Sequence, residues 1–494
     1  MESETNMNKA LAYASKAENS QESGRVPFWQ KVAYGAANPV ETLTIWVPMG
    51  MMMAVFNIGL GMDPIAIGWI LAIWRVYDAI SDPVMGNISD NARTRWGRRR
   101  PFIAVGAVLT SIFLPLIWWV PRDVAPWVLN VWLLVGGMLL YSSFTIWAMP
   151  YYSLQLEMTK DYNERTNISA YRAFFQKIMG LFTGWFMAMA TSQYFADEHG
   201  KPDIVEGMRY VGLLMGVLVL VLGVLPALFV KERFYVNEAA KQRKQPLFRS
   251  LGQTLKTWPF LILLVIVMTQ IFGMAMPGSL GKYLNYYYVC QGDIALGAKY
   301  EGAINTAMFL PALLAIPFCT WYSARFGKQQ MLYLLTCLSI AGYLSVYLFF
   351  IPGRPILMVI PAILKGTITV GLWMVAPSMQ ADIADYDELT SHARREGSFC
   401  SVFSWSTKVA WSLVAVMSGY LIAFSGFKIE FGSAQPPEVL RMMLHLYVWT
   451  PVGFLLVSLL AIRFYGLSRD RMREIRRELD ARHGTTAPGP SGPA

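Results

Sequence analysis

Charged residues are scarce in this sequence. Asp, Glu, Lys and Arg together make up 15% of its 494 residues, whereas 55% of the residues are hydrophobic. So few polar side chains cannot cover the surface of a soluble globule of this length. The composition therefore excludes a soluble domain and predicts an integral membrane protein.

Motifs for metal binding and for covalent catalysis are also missing. The sequence has four cysteines and four histidines, and the cysteines lack metal-ligand spacing. It contains no His-Glu-x-x-His motif, no Gly-x-Ser-x-Gly motif followed by an acid and a histidine, and no Gly-x-x-x-x-Gly-Lys-Ser/Thr phosphate loop. These absences disfavour an intramembrane enzyme and a primary pump, and no cofactor is expected beyond a coupling ion.

A cleavable signal segment is missing as well, because residues 1–26 are polar and have no apolar core. The first spanning helix is therefore expected to direct insertion into the lipid bilayer. The formal net charge is +10, but the basic residues lie in loops between apolar runs, which is typical of membrane topology rather than of nucleic-acid binding.

Long apolar runs, by contrast, are abundant. With about 20 mostly apolar residues needed for each crossing, the sequence predicts about twelve spanning helices. They lie near residues 31–60, 64–88, 101–121, 126–154, 167–192, 209–231, 256–289, 300–323, 329–351, 356–385, 398–425 and 441–465. The connections after even-numbered spans are basic, which places them and both termini in the cytoplasm of a cell inner (plasma) membrane protein.

A polar stretch near the middle of the chain divides the predicted helices into two halves. The predicted organisation is a cytoplasmic tail, a six-helix bundle, a cytoplasmic loop, a second six-helix bundle and a second tail, at 1–26, 27–231, 232–255, 256–466 and 467–494. An all-α membrane protein of this kind is typical of the major facilitator fold, whose substrate site lies between the halves near the bilayer midplane. We expect it to function as a monomer.

The second predicted helix carries charge where charge is costly. Arg75, Asp78 and Asp82 fall on one helical face. A mid-membrane Asp costs about 2.5 to 3.5 kcal/mol on insertion scales, which indicates a functional role. Two carboxylates with neutral oxygens suit a hard monovalent cation, and a single carboxylate can carry a proton. The alternative is an ion pair between Arg75 and Asp78 that holds helices together.

Five stretches of the sequence together form a long signature. They are residues 34–35, residues 77–86, which contain both aspartates, residues 93–101, which are rich in arginine, and the blocks at 381–386 and 394–397. This signature resembles that of the glycoside-pentoside-hexuronide:cation symporter family. The similarity covers residues 26 to about 477 of this chain. It implies symport of a sugar, glycoside or hexuronide with Na⁺ or H⁺ by alternating access.

The resemblance implies roles for individual residues. The coupling cation is expected at Asp78 and Asp82, which would also be the Na⁺ ligands of a sodium-coupled carrier, with neutral oxygens from Ser81 and Thr145. Basic residues after the second span (Arg93, Arg98 and Arg99) and after the eighth (Arg325 and Lys328) are expected to pair with Asp382, Asp385 and Asp387 near the end of the tenth. Such ion pairs would close an intracellular gate.

The sugar site of the family matches less well. The family's first-helix Asp falls at Thr42, beside Glu41, and its fourth-helix Asp falls at Ala148, next to Trp147. Its remaining substrate positions fall at Tyr152, Arg172, Trp373 and Lys408. The aromatic side chains can stack on a sugar ring or serve packing alone.

This chain adds lysines inside its predicted spans, namely Lys177, Lys282 and Lys365. Together with Arg172 and Lys408 they predict an electropositive cavity and an anionic sugar as substrate. The competing interpretation is that the cations are neutralised internally, for instance by Glu41, or snorkel to the interface.

Two alternatives to sugar symport stay open at this point. One is a cation-coupled carrier of another anionic or lipid-like solute, and the other is a membrane sensor that binds its ligand without transporting it.

Overall fold

The computed structural model describes residues 26–94, 96–159, 162–196, 202–232, 254, 256–391 and 396–482. In these ranges the secondary structure is helical, with one isolated β-bridge between Ala196 and Pro202. The all-α prediction is therefore confirmed. Most of both tails, most of the central loop and the predicted block at 394–395 lie outside the described residues.

Most ends of the main helices lie within a few residues of the ends of the predicted spans. In chain order they are α1 (Phe28–Gly59), α2 (Pro64–Asn91), α3 (Arg100–Trp118), α4 (Pro126–Met158), α5 (Tyr162–Phe182), α6 (Ile204–Phe229), α7 (Trp258–Val289), α8 (Ile294–Phe326), α9 (Lys328–Phe349), α10 (Val359–Ser391), α11 (Glu396–Phe424), α12 (Pro437–Phe464) and α13 (Arg469–Arg482).

Ten helices of the described part are long and apolar enough to cross a membrane. Among α1 to α12, the two that are not counted are α5 and α8. Charged residues such as Arg172 and Lys177 lower the mean hydropathy of α5 without shortening the helix. The total of twelve spans stays a prediction.

Two of the helices contain π-helical segments. In α1 these are Thr42–Trp46 and Met53–Gly59, and in α7 the segment is Leu284–Val289. A π turn inserts an extra residue into the helix and re-aims the neighbouring side chains, and such turns are frequent at functional sites. The first of them directly follows Glu41.

The helices assemble into two compact units. Unit 1 contains the described residues of 1–49, 77–180 and 208–242, and unit 2 contains those of 50–76, 181–207 and 243–494. Unit 2 therefore includes two segments from the first half of the chain, the α1–α2 hairpin and the end of α5 with the start of α6. The predicted bundle boundaries at 27–231 and 256–466 follow chain order and stay a prediction.

Small residues allow close helix packing in unit 1. A Cβ atom added to Gly106 on α3 would lie 2.5 Å from the backbone nitrogen of Trp147 on α4. Helices in membranes gain much of their packing energy from such close approach. This packing fixes the position of α4, which carries several candidate site residues.

Candidate functional site

Helices α2 and α4 bring the predicted cation ligands together in unit 1. The Thr145 hydroxyl donates to Asp82 Oδ1 at 3.2 Å, and Ser81 Oγ lies 3.2 Å from Thr145 Oγ1. Asp78, one turn earlier on α2, is 7% exposed, and its carbonyl accepts a bond from Ser81 Oγ at 3.3 Å. A carboxylate with two hydroxyl groups beside it is a suitable ligand set for a small, hard cation.

A second polar cluster joins α1, α4 and α5 in unit 1. The Tyr152 hydroxyl donates to Glu41 Oε2 at 2.8 Å. The Arg172 guanidinium lies 5.3 Å from the ring centre of Tyr152 and 5.4 Å from that of Tyr151, and its Nε donates to Asn38 Oδ1 at 3.1 Å. Glu41, Tyr152 and Arg172 were predicted from three separate helices, and the structure places them in one cluster.

No carboxylate lies within 4.0 Å of the Arg172 side-chain nitrogens among the residues that the structure describes. Besides its bond to Asn38, Arg172 donates Nη1 to Gln155 Oε1 at 3.0 Å. Amide oxygens and aromatic faces orient a guanidinium but do not neutralise its charge. The cluster therefore offers a cation, a carboxylate and aromatic faces to a polar ligand.

Two further predicted substrate residues in unit 1 are buried. Trp147 has no accessible surface, stacks on Tyr151 with ring centres 4.5 Å apart, and donates Nε1 to the carbonyl of Gly223 at 3.0 Å. Thr42 is 6% exposed. In this structure Trp147 serves the packing of α4 against α6.

Unit 2 contains a cavity of about 340 Å³. Its lining is mostly apolar and includes Met308, Phe350 and Trp411, and both lysines that the sequence singled out on α7 and α10, Lys282 and Lys365, also line it. Apolar walls with a few convergent polar groups are typical of small-molecule sites.

The two cavity lysines differ in their counter-ions. Lys282 Nζ lies 2.6 Å from Glu301 Oε1, and the other carboxylate oxygen of Glu301 accepts a bond from the Tyr286 hydroxyl at 2.8 Å. Lys365 Nζ donates to the Tyr447 hydroxyl at 2.6 Å and lies 5.1 Å from the ring centre of Tyr343.

Lys365 has no carboxylate within 4.0 Å in the described part of the chain. The charged side chains that line this cavity are therefore two ammonium groups and one carboxylate, which leaves it with an excess of positive charge. Glu301 is not among the predicted site residues, although an acid inside the predicted span at 300–323 was a visible signal.

The other two predicted residues of the second half lie elsewhere. Trp373 on α10 is 42% exposed, and Lys408 on α11 is half-buried. Neither lines the cavity of unit 2. Their substrate roles stay a prediction.

The arginines after α2 form ion pairs inside unit 1. Arg98 and Arg99 both bind Glu157 at the end of α4, where Arg99 Nε lies 3.1 Å from Glu157 Oε1, and Arg99 also pairs with Asp90. Arg93 is exposed. These pairs link the end of α2 to the end of α4.

A carboxylate from the central loop caps the start of α3. Glu232 accepts the backbone N–H groups of Arg98, Arg99 and Arg100 at 2.7, 2.8 and 3.1 Å. Negative charge at a helix N-terminus is favourable because the first N–H groups have no partner within the helix. Glu232 was not predicted, because capping across this chain distance leaves no local sequence pattern.

The predicted gating carboxylates form ion pairs inside unit 2. Asp382 pairs with Lys328, at the start of α9, and with Arg476 on α13 at 3.2 Å, and Asp385 lies 3.5 Å from Arg476. Lys328 follows the eighth span, so its pair with Asp382 is of the type that the sequence predicts. The partner on α13 was not predicted.

The sequence matches the family described as MFS/sugar transport protein over residues 38–469. It is 25% identical over 452 residues to the isoprimeverose transporter of Lactiplantibacillus pentosus, with 90% of each chain covered. It is 25% identical over 430 residues to the glucuronide carrier protein homolog of Escherichia coli strain K12, which covers 85% of this chain and 89% of that protein.

A further relative is the human sodium-dependent lysophosphatidylcholine symporter 1, which is 25% identical over 443 residues, covering 85% of this chain and 79% of that protein. Among solved structures, a bacterial homolog of the human lysosomal transporter Spinster, in an inward-facing and unoccupied conformation, superposes with a TM-score of 0.63. Its sequence is 14% identical, and the match covers 91% of this chain and 99% of that one. At this identity the likeness concerns the fold.

Proposed function

Because this chain belongs to the MFS/sugar transport protein family, we propose that it moves a sugar or glycoside across the cell membrane together with a cation. The family match covers residues 38–469. The predicted symporter family and major facilitator fold are thereby confirmed, and the chain is a multi-pass membrane transporter rather than an enzyme. The plasma membrane location and the cytoplasmic termini belong to the proposal.

The observation that carries the coupling proposal is the Asp82, Thr145 and Ser81 cluster, in which a carboxylate meets two hydroxyl groups inside helices of spanning length. A cation bound there, one helical turn from Asp78, would offset part of the negative charge of the α2 aspartates. A ligand that binds one conformation better than another shifts the carrier toward that conformation, which is how a cation gradient drives a second solute. Sodium would use both hydroxyls, whereas a proton needs one carboxylate.

The substrate proposal rests on two sets of contacts. Glu41 and Arg172 supply an acceptor and a donor for sugar hydroxyls, and Tyr152 offers a ring face. Lys365, without a carboxylate partner among the described residues, supports recognition of an acidic group. The names of two relatives, an isoprimeverose transporter and a glucuronide carrier homolog, support a glycoside, including an anionic one.

The test is transport in proteoliposomes with radiolabelled methyl glucuronide, under a sodium gradient or a proton gradient alone. Asp78→Asn and Asp82→Asn should each abolish gradient-driven accumulation, because the coupling charge is lost, and should leave part of the counterflow exchange. Ser142→Ala is a matched control, since this α4 hydroxyl bonds Tyr77 at 2.7 Å. Accumulation by both Asn variants at the wild-type rate would place the cation elsewhere.

The same assay separates the proposal from its alternatives. A sensor binds its ligand but shows no counterflow. An amphiphilic solute is the second candidate, because the unit 2 cavity is mostly apolar and one relative is a lysophosphatidylcholine symporter. A thermal-shift screen of glycosides, uronides and lysophosphatidylcholine, with and without sodium, distinguishes the two because a bound ligand stabilises the native state.

A further inference from the structure

Unit 2 has a second cavity, of about 650 Å³, at the ends of several spanning helices. It lies where α8 ends at Phe326, α9 begins at Lys328 and α13 begins at Arg469. Since the ends of spanning helices lie near the boundary between hydrocarbon and water, this cavity lies at the level of the lipid headgroups. We call it the basic cavity.

Its charge is strongly unbalanced. The lining contains the five cations Arg325, Lys328, Arg469, Arg473 and Arg476 and the two acids Asp382 and Asp470. Asp382 is shared by Lys328 and Arg476, and Asp470 lies 3.6 Å from Arg473. Arg325 and Arg469 have no carboxylate within 4.0 Å in the ranges that the structure describes. The two guanidinium groups therefore leave an unbalanced positive charge.

The flank of α8 beside these arginines is aromatic and exposed. Phe318, Trp321 and Phe326 are 48%, 53% and 48% exposed. The Arg325 guanidinium lies 5.9 Å from the ring centre of Trp321 and 5.7 Å from that of Phe326. A cationic cavity bordered by an exposed aromatic face fits an amphiphile whose charged head enters the cavity and whose apolar chain follows the helix.

We propose that the basic cavity binds the phosphate group of an anionic phospholipid, held chiefly by Arg325 and Arg469. A free phosphate has the same chemistry at its head but gains nothing from the aromatic flank of α8. The lipid would also balance charge at the start of α13, whose Met472, Ile475 and Leu479 are buried. It would thereby hold this helix against α10, where Arg476 binds Asp382.

The test uses the full chain in nanodiscs of equal parts phosphatidylglycerol and phosphatidylcholine, with retained lipids counted by native mass spectrometry. We expect the wild type to retain phosphatidylglycerol preferentially. The double variant Arg325→Gln/Arg469→Gln should reduce this preference about tenfold, because each cation near a membrane surface contributes separately to binding an anionic lipid. The single variant Arg325→Gln, which removes no side-chain hydrogen bond in the described structure, should lower it as well.

The matched control is Arg471→Gln/Arg477→Gln, which also removes two positive charges, both from α13 and at positions that do not line the basic cavity. It should keep the wild-type preference. Equal preference in all variants would overturn the site. An equal rise in melting temperature with inorganic phosphate and with phosphatidylglycerol would overturn the lipid assignment, since the aromatic flank would then contribute nothing.

Discussion

Among the individual residues, Glu301 stands out as the counter-ion of Lys282. Its carboxylate binds Lys282 at 2.6 Å and accepts a bond from Tyr286, so this lysine is neutralised within unit 2 while Lys365 is not. A partly buried ion pair gives little net stability, because desolvation of both charges offsets their attraction. If the substrate is acidic, as we propose, it would compete with Glu301 for Lys282.

Substitutions of the three charged cavity residues test whether the substrate is acidic. Lys365→Gln should lower the preference for methyl glucuronide over methyl glucoside about tenfold, since a charge-assisted hydrogen bond contributes roughly 1.5 to 3 kcal/mol. Lys282→Gln should narrow the same difference, and Glu301→Gln should widen it. The measurement is competition for uptake by the two sugars.

The control for this prediction is Lys299→Gln, which removes an exposed lysine of α8 that does not line the cavity. If both sugars compete equally in the wild type, the added lysines are structural. That outcome would refute the anionic substrate and leave the cation-coupling test at Asp78 and Asp82 unaffected.

Candidate functional residues are easier to predict from the sequence than the residues that they contact. Lys282 and Lys365 are visible because a charge inside an apolar run is conspicuous. The partner of Lys282 is not visible, because Glu41 and Glu301 are equally acidic in the sequence and only the packing of α7 on α8 selects between them. Trp147 illustrates the same limit, since an aromatic in a motif can bind substrate or, as here, pack on Tyr151.

At the element scale, the start of α3 depends on one glycine. Gly97 has φ +109°, a conformation that side chains disfavour, and a Cβ atom added to it would lie 2.6 Å from Glu232 Oε1. Any larger residue at position 97 would therefore strain the backbone. It would also displace the Glu232 carboxylate, which accepts the backbone N–H groups of Arg98, Arg99 and Arg100.

We expect Gly97→Ala to destabilise the protein by about 1 to 3 kcal/mol, the sum of backbone strain and a weakened cap. Glu232→Gln should cost about 1 kcal/mol, because the cap loses its charge while keeping an acceptor. The measurement is the melting temperature in detergent. Gly86→Ala on α2 is the control, since a Cβ there meets nothing within 4 Å, and an equal loss for both alanine variants would contradict the capping argument.

Helix boundaries were largely predictable because apolar runs and turn residues mark them locally. The π-helical segments of α1 and α7 were not, since proline and glycine positions indicate a break in a helix but not an inserted residue. The docking of α13 on α10 through Arg476 and Asp382 was also unpredictable, because it joins residues 94 positions apart.

At the scale of the whole molecule, chain order and compact units do not coincide. Two hairpins from the first half of the chain belong to unit 2, where the Tyr283 hydroxyl on α7 donates to Asn57 Oδ1 and lies 3.3 Å from the carbonyl of Met53. On the other hairpin, Trp185 Nε1 donates to Thr306 Oγ1 on α8 at 3.0 Å. If these hairpins face outward, as the sequence predicts, their contacts would close the outer side of a carrier that works by alternating access.

If these contacts form an outer gate, holding them together should stop transport. A Cβ atom added to Gly184 would lie 3.0 Å from Asn305 Cβ, close to the roughly 3.8 Å between Cβ atoms in a disulfide. We expect Gly184→Cys/Asn305→Cys to cross-link on oxidation and to lose counterflow exchange, with recovery on reduction, because alternating access requires the gate to open. Each single variant should be insensitive to oxidant. Wild-type exchange by fully cross-linked protein would mean that the contact persists through the cycle and is packing rather than a gate.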